Sequence, residues 1–135
     1  MELYTNRTGK IILKLTQTFY FDAAHTLNRD VNVYDQLRSK NIHGHTYHVS
    51  ISLTGKPNKN GMIKDFGHIK YITDEIHLLL DHQFLNEIPD LGIPTLENLC
   101  LFIAKKLKNI KGLCEISVER KASGDKCTLE LKEKS

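Results

Sequence analysis

Apolar and polar side chains alternate over residues 11–21: Leu13, Leu15, Phe19 and Phe21 fall on one face, and Lys14, Thr16, Thr18 and Tyr20 on the other. That is the signature of a half-buried antiparallel strand. A second alternating run carries Tyr47, Val49, Ile51 and Leu53 on one face and His48, Ser50, Ser52 and Thr54 on the other, until Gly55, Pro57, Asn58 and Gly61 turn the chain. The period then changes. Asp65 can cap a helix whose apolar stripe is Ile69, Ile72, Ile76, Leu79 and Leu80, and Thr95 can cap another carrying Leu96, Leu99, Ile103 and Leu107. Gly112 ends the linker that follows. Residues 113–119 and 127–131 alternate again around a hairpin loop at residues 122–126. The order is therefore strand, strand, helix, helix, strand, strand: an α+β domain with two helices packed on one face of an antiparallel sheet.

Such a sheet has two free edges, which natural proteins cover, blunt or close. Pairing between subunits would close them. The segment between the first two strands, residues 26–42, has no sustained period and is rich in Asn, Asp, Arg and Lys. A connection of that length is usually functional or disordered.

Composition narrows the possibilities. The 135 residues, 40% hydrophobic and 26% charged, fit one domain with an ordinary core. No apolar run approaches the ~20 residues that span a bilayer, so no membrane partner is expected. Residues 1–10 are polar and are expected to form a loose tail ahead of a single domain over residues 11–135. The net charge of +3 comes from lysines scattered among acids rather than from a basic helix, which argues against nucleic acid and suits a phosphorylated small molecule. Three cysteines, Cys100, Cys114 and Cys127, have no paired short spacing, so a disulfide scaffold is not expected and a reducing cytoplasm is.

The chemistry is concentrated at His43-Gly44-His45, which opens the second strand. Side chains two apart on a strand share a face, so both imidazoles can converge on one ion, with Gly44 permitting close approach between them. A catalytic zinc commonly takes three protein ligands and keeps one position open. His25 is the best third ligand; without one, the pair reads as two exposed or hydrogen-bonded histidines.

Together, the spacing of His25, His43-Gly44-His45, Asp65-Phe66, Leu80-Asp81-His82, Asn86, Pro94-Thr95-x-Glu97-Asn98 and Glu119 resembles the 6-pyruvoyl-tetrahydropterin synthase and 6-carboxy-tetrahydropterin synthase family, over about residues 11–131. The resemblance implies a tunnelling fold in which three subunits join their sheets into a barrel and two trimers stack as a homohexamer, with active sites between subunits. It implies that His25, His43 and His45 bind zinc. It also implies that Asp81 and His82 supply a proton-transfer pair from a neighbouring subunit, that Glu119 anchors a pterin through paired hydrogen bonds, and that Thr95 stands near the pterin in a lesser role.

Each residue has a plainer reading. Asp81-His82 also suits a solvated helix end, Glu119 an exposed charge sharing a face with Glu115 and Ser117, and Thr95 a helix cap.

One departure stands out. Members of the family place a cysteine a few residues before His-Gly-His as proton acceptor, and here Ser39 holds that place, four residues before His43. A serine hydroxyl is a far weaker acid than a thiol of pKa ~8.5. The activity the resemblance implies is a zinc-dependent lyase converting 7,8-dihydroneopterin triphosphate to 6-carboxy-5,6,7,8-tetrahydropterin on the route to queuosine. The alternatives are the pyruvoyl-forming reaction, an aldolase-like cleavage of the side chain, and a homologue that binds pterin or zinc without turnover.

Overall fold

The computed structural model describes residues 12–27 and 40–132. The sheet is an antiparallel meander of β1 (Leu13–His25), β2 (His43–Gly55), β3 (Leu113–Arg120) and β4 (Asp125–Glu130), in that spatial order. Helix α1 (Phe66–Leu80) packs on β1, and α2 (Leu96–Lys106) packs on β3 and β4. The expected α+β architecture with two helices is present. A single 3₁₀ turn at Leu85–Glu87, which periodicity does not reveal in so short a segment, links the helices.

One sheet face makes the core. Phe21, Tyr47, Val49, Ile51, Ile116 and Val118 are buried there against Ile76, Leu80, Leu99 and Ile103 of the helices. The other face carries no helix among the described residues and is rich in hydroxyls, with Thr16 Oγ1 2.8 Å from Ser52 Oγ and Thr18 Oγ1 3.0 Å from Ser50 Oγ. Strand alternation thus divides the molecule into an apolar side and a polar side.

Three expected boundaries move, each for a structural reason. β1 does not stop at Phe21 but continues to His25, because residues 82–84 run along its outer edge and satisfy its backbone: His82 N donates to Asp22 O, and Ala24 N to Gln83 O. Leu79, expected in the apolar stripe of α1, is 45% exposed; Thr73 takes its place, its hydroxyl made compatible with burial by donating to Lys70 O. The last hairpin is tighter than residues 122–126, with Arg120 paired to Asp125 and Gly124 at φ +78° in the turn. That tightening places Arg120 beside the site described next.

Gly112 enters β3 at φ +86°, where a Cβ would collide with the Thr54 carbonyl. Its own carbonyl accepts from Thr54 N at 2.8 Å. This close approach lies where the β2–β3 register shifts between Ser52 and Leu53.

Candidate metal centre and active site

The last residue of β1 faces the first residue of β2: His25 pairs with His43, and Ala23 with His45. Alternation then turns all three imidazoles to the helix side of the sheet, next to Tyr47. Their ring centroids lie 4.5, 4.9 and 5.0 Å apart. One nitrogen from each lies within 4.8 Å of the others, so the three can hold a metal ion. The sequence-derived triad is thus assembled, and its third member comes from the strand extension that periodicity missed.

Backbone carbonyls orient the rings. His25 Nδ1 donates to Pro94 O at 3.1 Å and His43 Nδ1 to Asn41 O at 2.8 Å, which leaves the Nε2 lone pairs free to bind an ion. His45 Nε2 and His25 Nε2 face each other at 3.1 Å, while Arg120 Nη1 approaches the same His45 nitrogen at 3.3 Å. If that nitrogen accepts from the guanidinium, two bare lone pairs oppose one another, a repulsion that a cation between them would remove. Burial pushes the pKa of His25 down, opposed by its bond to Pro94. Burial, and then the Arg120 charge, push that of His45 down to about 4. Both are therefore neutral at pH 7, the form in which imidazole binds metal. The donor set fits a catalytic ion with one position left open.

The triad forms part of the wall of a cleft of about 1480 Å³, which Thr95, Glu97, Arg120 and Lys126 also line. That is ample for a bicyclic ligand with a side chain. Thr95 is the N-cap of α2, its hydroxyl accepting from Asn98 N at 3.1 Å, so both its readings converge on the segment whose Pro94 carbonyl holds His25. Gly44 is not needed for space within the chain, since a Cβ there would meet only the Ala23 carbonyl at 3.5 Å.

Asp81 and His82 lie elsewhere, at the outer edge of β1. Asp81 caps the end of α1; its Oδ1 accepts from Asp22 N at 2.9 Å, and its Oδ2 stands 2.7 Å from His82 Nδ1 and 3.4 Å from His77 Nε2. The bond from Asp22 N, and then that to His82, hold the Asp81 carboxyl below the usual carboxylate range. The same pair holds the His82 imidazole above its ordinary value. His82 sits at φ +58° with 79% of its side chain exposed. It lines a second hollow of about 640 Å³ with Asp22 and Thr46, which shares Gly44 and His45 with the triad cleft, while neither Asp81 nor His82 lines the triad cleft itself.

Glu119 pairs with His48, and alternation puts both on the helix-free face, across the sheet from the triad. Two carboxylates line the cleft in this chain: Asp125, which is paired with Arg120, and Glu97, in the first turn of α2. Glu97 belongs to the Pro94-Thr95-x-Glu97-Asn98 motif, which gave it no role of its own. Arg120 was missed as well, because its approach to His45 depends on the tightened hairpin. Ser39 lies outside the described residues.

Known proteins give the fold and site a family. The model of the 6-pyruvoyl tetrahydropterin synthase family matches residues 14–131. A protein of Archaeoglobus fulgidus named putative 6-carboxy-5,6,7,8-tetrahydropterin synthase is 38% identical over 69% of this chain and 73% of its own length. A dihydroneopterin monophosphate aldolase of Pyrococcus furiosus is 36% identical over 68% of this chain and 73% of its own. Among solved structures, 6-pyruvoyl tetrahydropterin synthase of Caenorhabditis elegans superposes with a TM-score of 0.75 at 21% identity, covering 90% of this chain and 97% of that one; it shares the fold. The chain belongs to the 6-pyruvoyl tetrahydropterin synthase family, a family of lyases.

Proposed function

We propose that the chain is a zinc-dependent lyase that converts 7,8-dihydroneopterin triphosphate and water to 6-carboxy-5,6,7,8-tetrahydropterin, releasing acetaldehyde and triphosphate, in a cytoplasmic route to queuosine. The observation that carries this reading is the His25–His43–His45 triad, with His25 and His43 oriented by backbone carbonyls and one nitrogen from each ring within 4.8 Å of the others, in the wall of a cleft of pterin size. The relative from Archaeoglobus fulgidus supports the carboxy-forming product.

Zinc held by the three imidazoles would supply Lewis acidity toward a hydroxyl of the polyol side chain. The remaining work belongs to the protein. Asp81 Oδ2 fixes His82 through Nδ1, so His82 Nε2 is the atom that takes up and returns a proton. A carboxylate in the plane of the pterin would accept two hydrogen bonds from its amidine-like edge. Glu119 is the residue the family pattern assigns to that task; Glu97 is the alternative candidate, since it lines the cleft and the other carboxylate there, Asp125, is paired with Arg120. Ser39 is assigned the position of the loop proton acceptor, where a hydroxyl needs strong activation.

Assembly would bring the parts together. The exposure of His82 suits a pair that serves another subunit's cleft, and β1 and β4 are the edge strands of the sheet. The proposed assembly joins such edges into a trimer, and two trimers stack as a homohexamer.

The Pyrococcus furiosus aldolase supports a second reading, cleavage of the side chain of a dihydroneopterin monophosphate. Incubation with the triphosphate and the monophosphate separately, with products identified by mass spectrometry, decides between them. The 6-carboxy product from the triphosphate is expected. A 6-pyruvoyl product, aldol cleavage of the monophosphate, or binding without turnover would each replace the leading assignment, and rescue of turnover by Ser39→Cys would locate the defect in the loop.

A further inference from the structure

Two buried polar atoms beside the triad meet no partner among the described residues: Tyr47 Oη and Arg120 Nε. Such groups are rare in folded proteins, and each one calls for an explanation. Both belong to side chains that line the triad cleft, and both are held firmly. Tyr47 is 1% exposed and stacks on Phe21 with ring centroids 4.9 Å apart, while Arg120 Nη2 donates to Asp125 Oδ2 at 2.7 Å across the first pair of the β3–β4 hairpin.

Their chemistry restricts what they can bind. A guanidinium donates hydrogen bonds and cannot accept them, and a tyrosine hydroxyl can donate. Arg120 Nη1 also stands 3.3 Å from His45 Nε2, the nitrogen that an ion would take. A fixed cation so close to a metal ion is repelled by it, unless negative charge lies between the two. An anionic oxygen seated against the three imidazoles would answer the repulsion and both missing acceptors together.

We propose that Tyr47 and Arg120 form a donor pair that holds an anionic oxygen of the ligand beside the triad's ion. The proposal rests on the metal reading of the triad and adds residues to it. The oxygen has two possible sources, a phosphate group or a deprotonated hydroxyl of the polyol side chain, and one pair of donors suits either.

The test uses the full chain loaded with cobalt(II) in place of zinc, with visible absorption reporting both metal uptake and ligand binding. Inorganic phosphate and dephosphorylated neopterin are titrated separately into the wild type, Arg120→Gln, Arg120→Lys and Tyr47→Phe. Arg120→Gln is expected to weaken binding of at least one probe by about tenfold or more, the size of a lost charge-assisted hydrogen bond. Tyr47→Phe is expected to weaken it about threefold, and Arg120→Lys to recover part of the loss. Cobalt affinity is expected to hold or to tighten in Arg120→Gln, because a neighbouring cation has gone. Weakened phosphate binding alone identifies the phosphate as the source, and weakened neopterin binding identifies the side-chain oxygen.

Unchanged binding of both probes in cobalt-loaded Arg120→Gln and Tyr47→Phe overturns the donor pair while leaving the metal site standing. Loss of cobalt from Arg120→Gln also overturns it, since the guanidinium would then be a support for the triad. A wild type that takes up no cobalt overturns the metal reading and this proposal with it.

Discussion

His45 and His82 are the same residue type in one small chain, and their surroundings drive them in opposite directions. His45 lies in the partly buried triad beside a guanidinium, where burial and like charge push its pKa down to about 4. His82 stands at the open edge of β1 against the Asp81 carboxylate, which raises its pKa. A neutral imidazole with a free lone pair is a metal ligand, whereas one that ionises near neutrality carries protons. The proposed metal site and the proposed proton-transfer pair are thus told apart by environment before any substrate is considered.

Five substitutions and one titration would break that contrast or sharpen it. The largest effect is expected from His43→Ala, which should abolish metal binding and turnover together while leaving the far-ultraviolet circular dichroism unchanged. Asp81→Asn should instead lower turnover by ~10²–10⁴-fold, the usual worth of a positioned general acid–base, at unchanged metal content. Loss of metal from Asp81→Asn would erase the distinction between the regions. Glu97→Gln and Glu119→Gln, compared by pterin titration, should differ: the variant of the true anchor loses about tenfold or more in affinity, as expected for a broken charge-assisted pair.

NMR titration of the imidazoles follows. The Asp81–His82 attraction is complete below the ordinary histidine value of about 6.5 and is lost as pH rises through the raised value of His82. At the acid end it is lost as pH falls through the lowered value of Asp81. His82 should therefore titrate above the ordinary value and return toward it in Asp81→Asn, while His45 in the metal-free chain stays neutral across the same range. The smallest effect belongs to Thr95→Ala, which should cost about 1 kcal/mol in urea unfolding through the lost helix cap. Weaker pterin binding beyond that loss would show that Thr95 also touches the ligand.

The elements were legible where periodicity had length to work with. Tyr47, Val49, Ile51 and Leu53 are buried as alternation predicts, and Asp65 and Thr95 cap their helices through side-chain oxygens. What escaped was set by pairing between distant segments. The extension of β1 to His25 depends on residues 82–84 supplying backbone partners, and no window of sequence around His25 contains them. Leu79 and Thr73 exchange places because helical phase, rather than apolarity alone, decides which side chain meets the core.

The site divided in the same way. His43 and His45 could be read from their two-residue spacing, and His25 from the need for a third ligand and then from the family pattern. The sequence also puts Glu119 on a face with Glu115 and Ser117. Only the β2–β3 register, which pairs Glu119 with His48, shows that this face is turned away from the triad. Arg120 and Tyr47 resembled an ordinary strand-end charge and a core aromatic. Their meaning depends on unpartnered atoms beside three histidines, a fact of packing that spacing does not encode.

The most direct test of the central claim is elemental analysis of the purified full chain alongside His25→Ala. The account predicts about one zinc per chain in the wild type and none in the variant, because His25 is buried, carbonyl-oriented and one of the three described residues whose side chains can together hold an ion. A wild type without metal, or a His25→Ala variant that keeps its zinc, would contradict it.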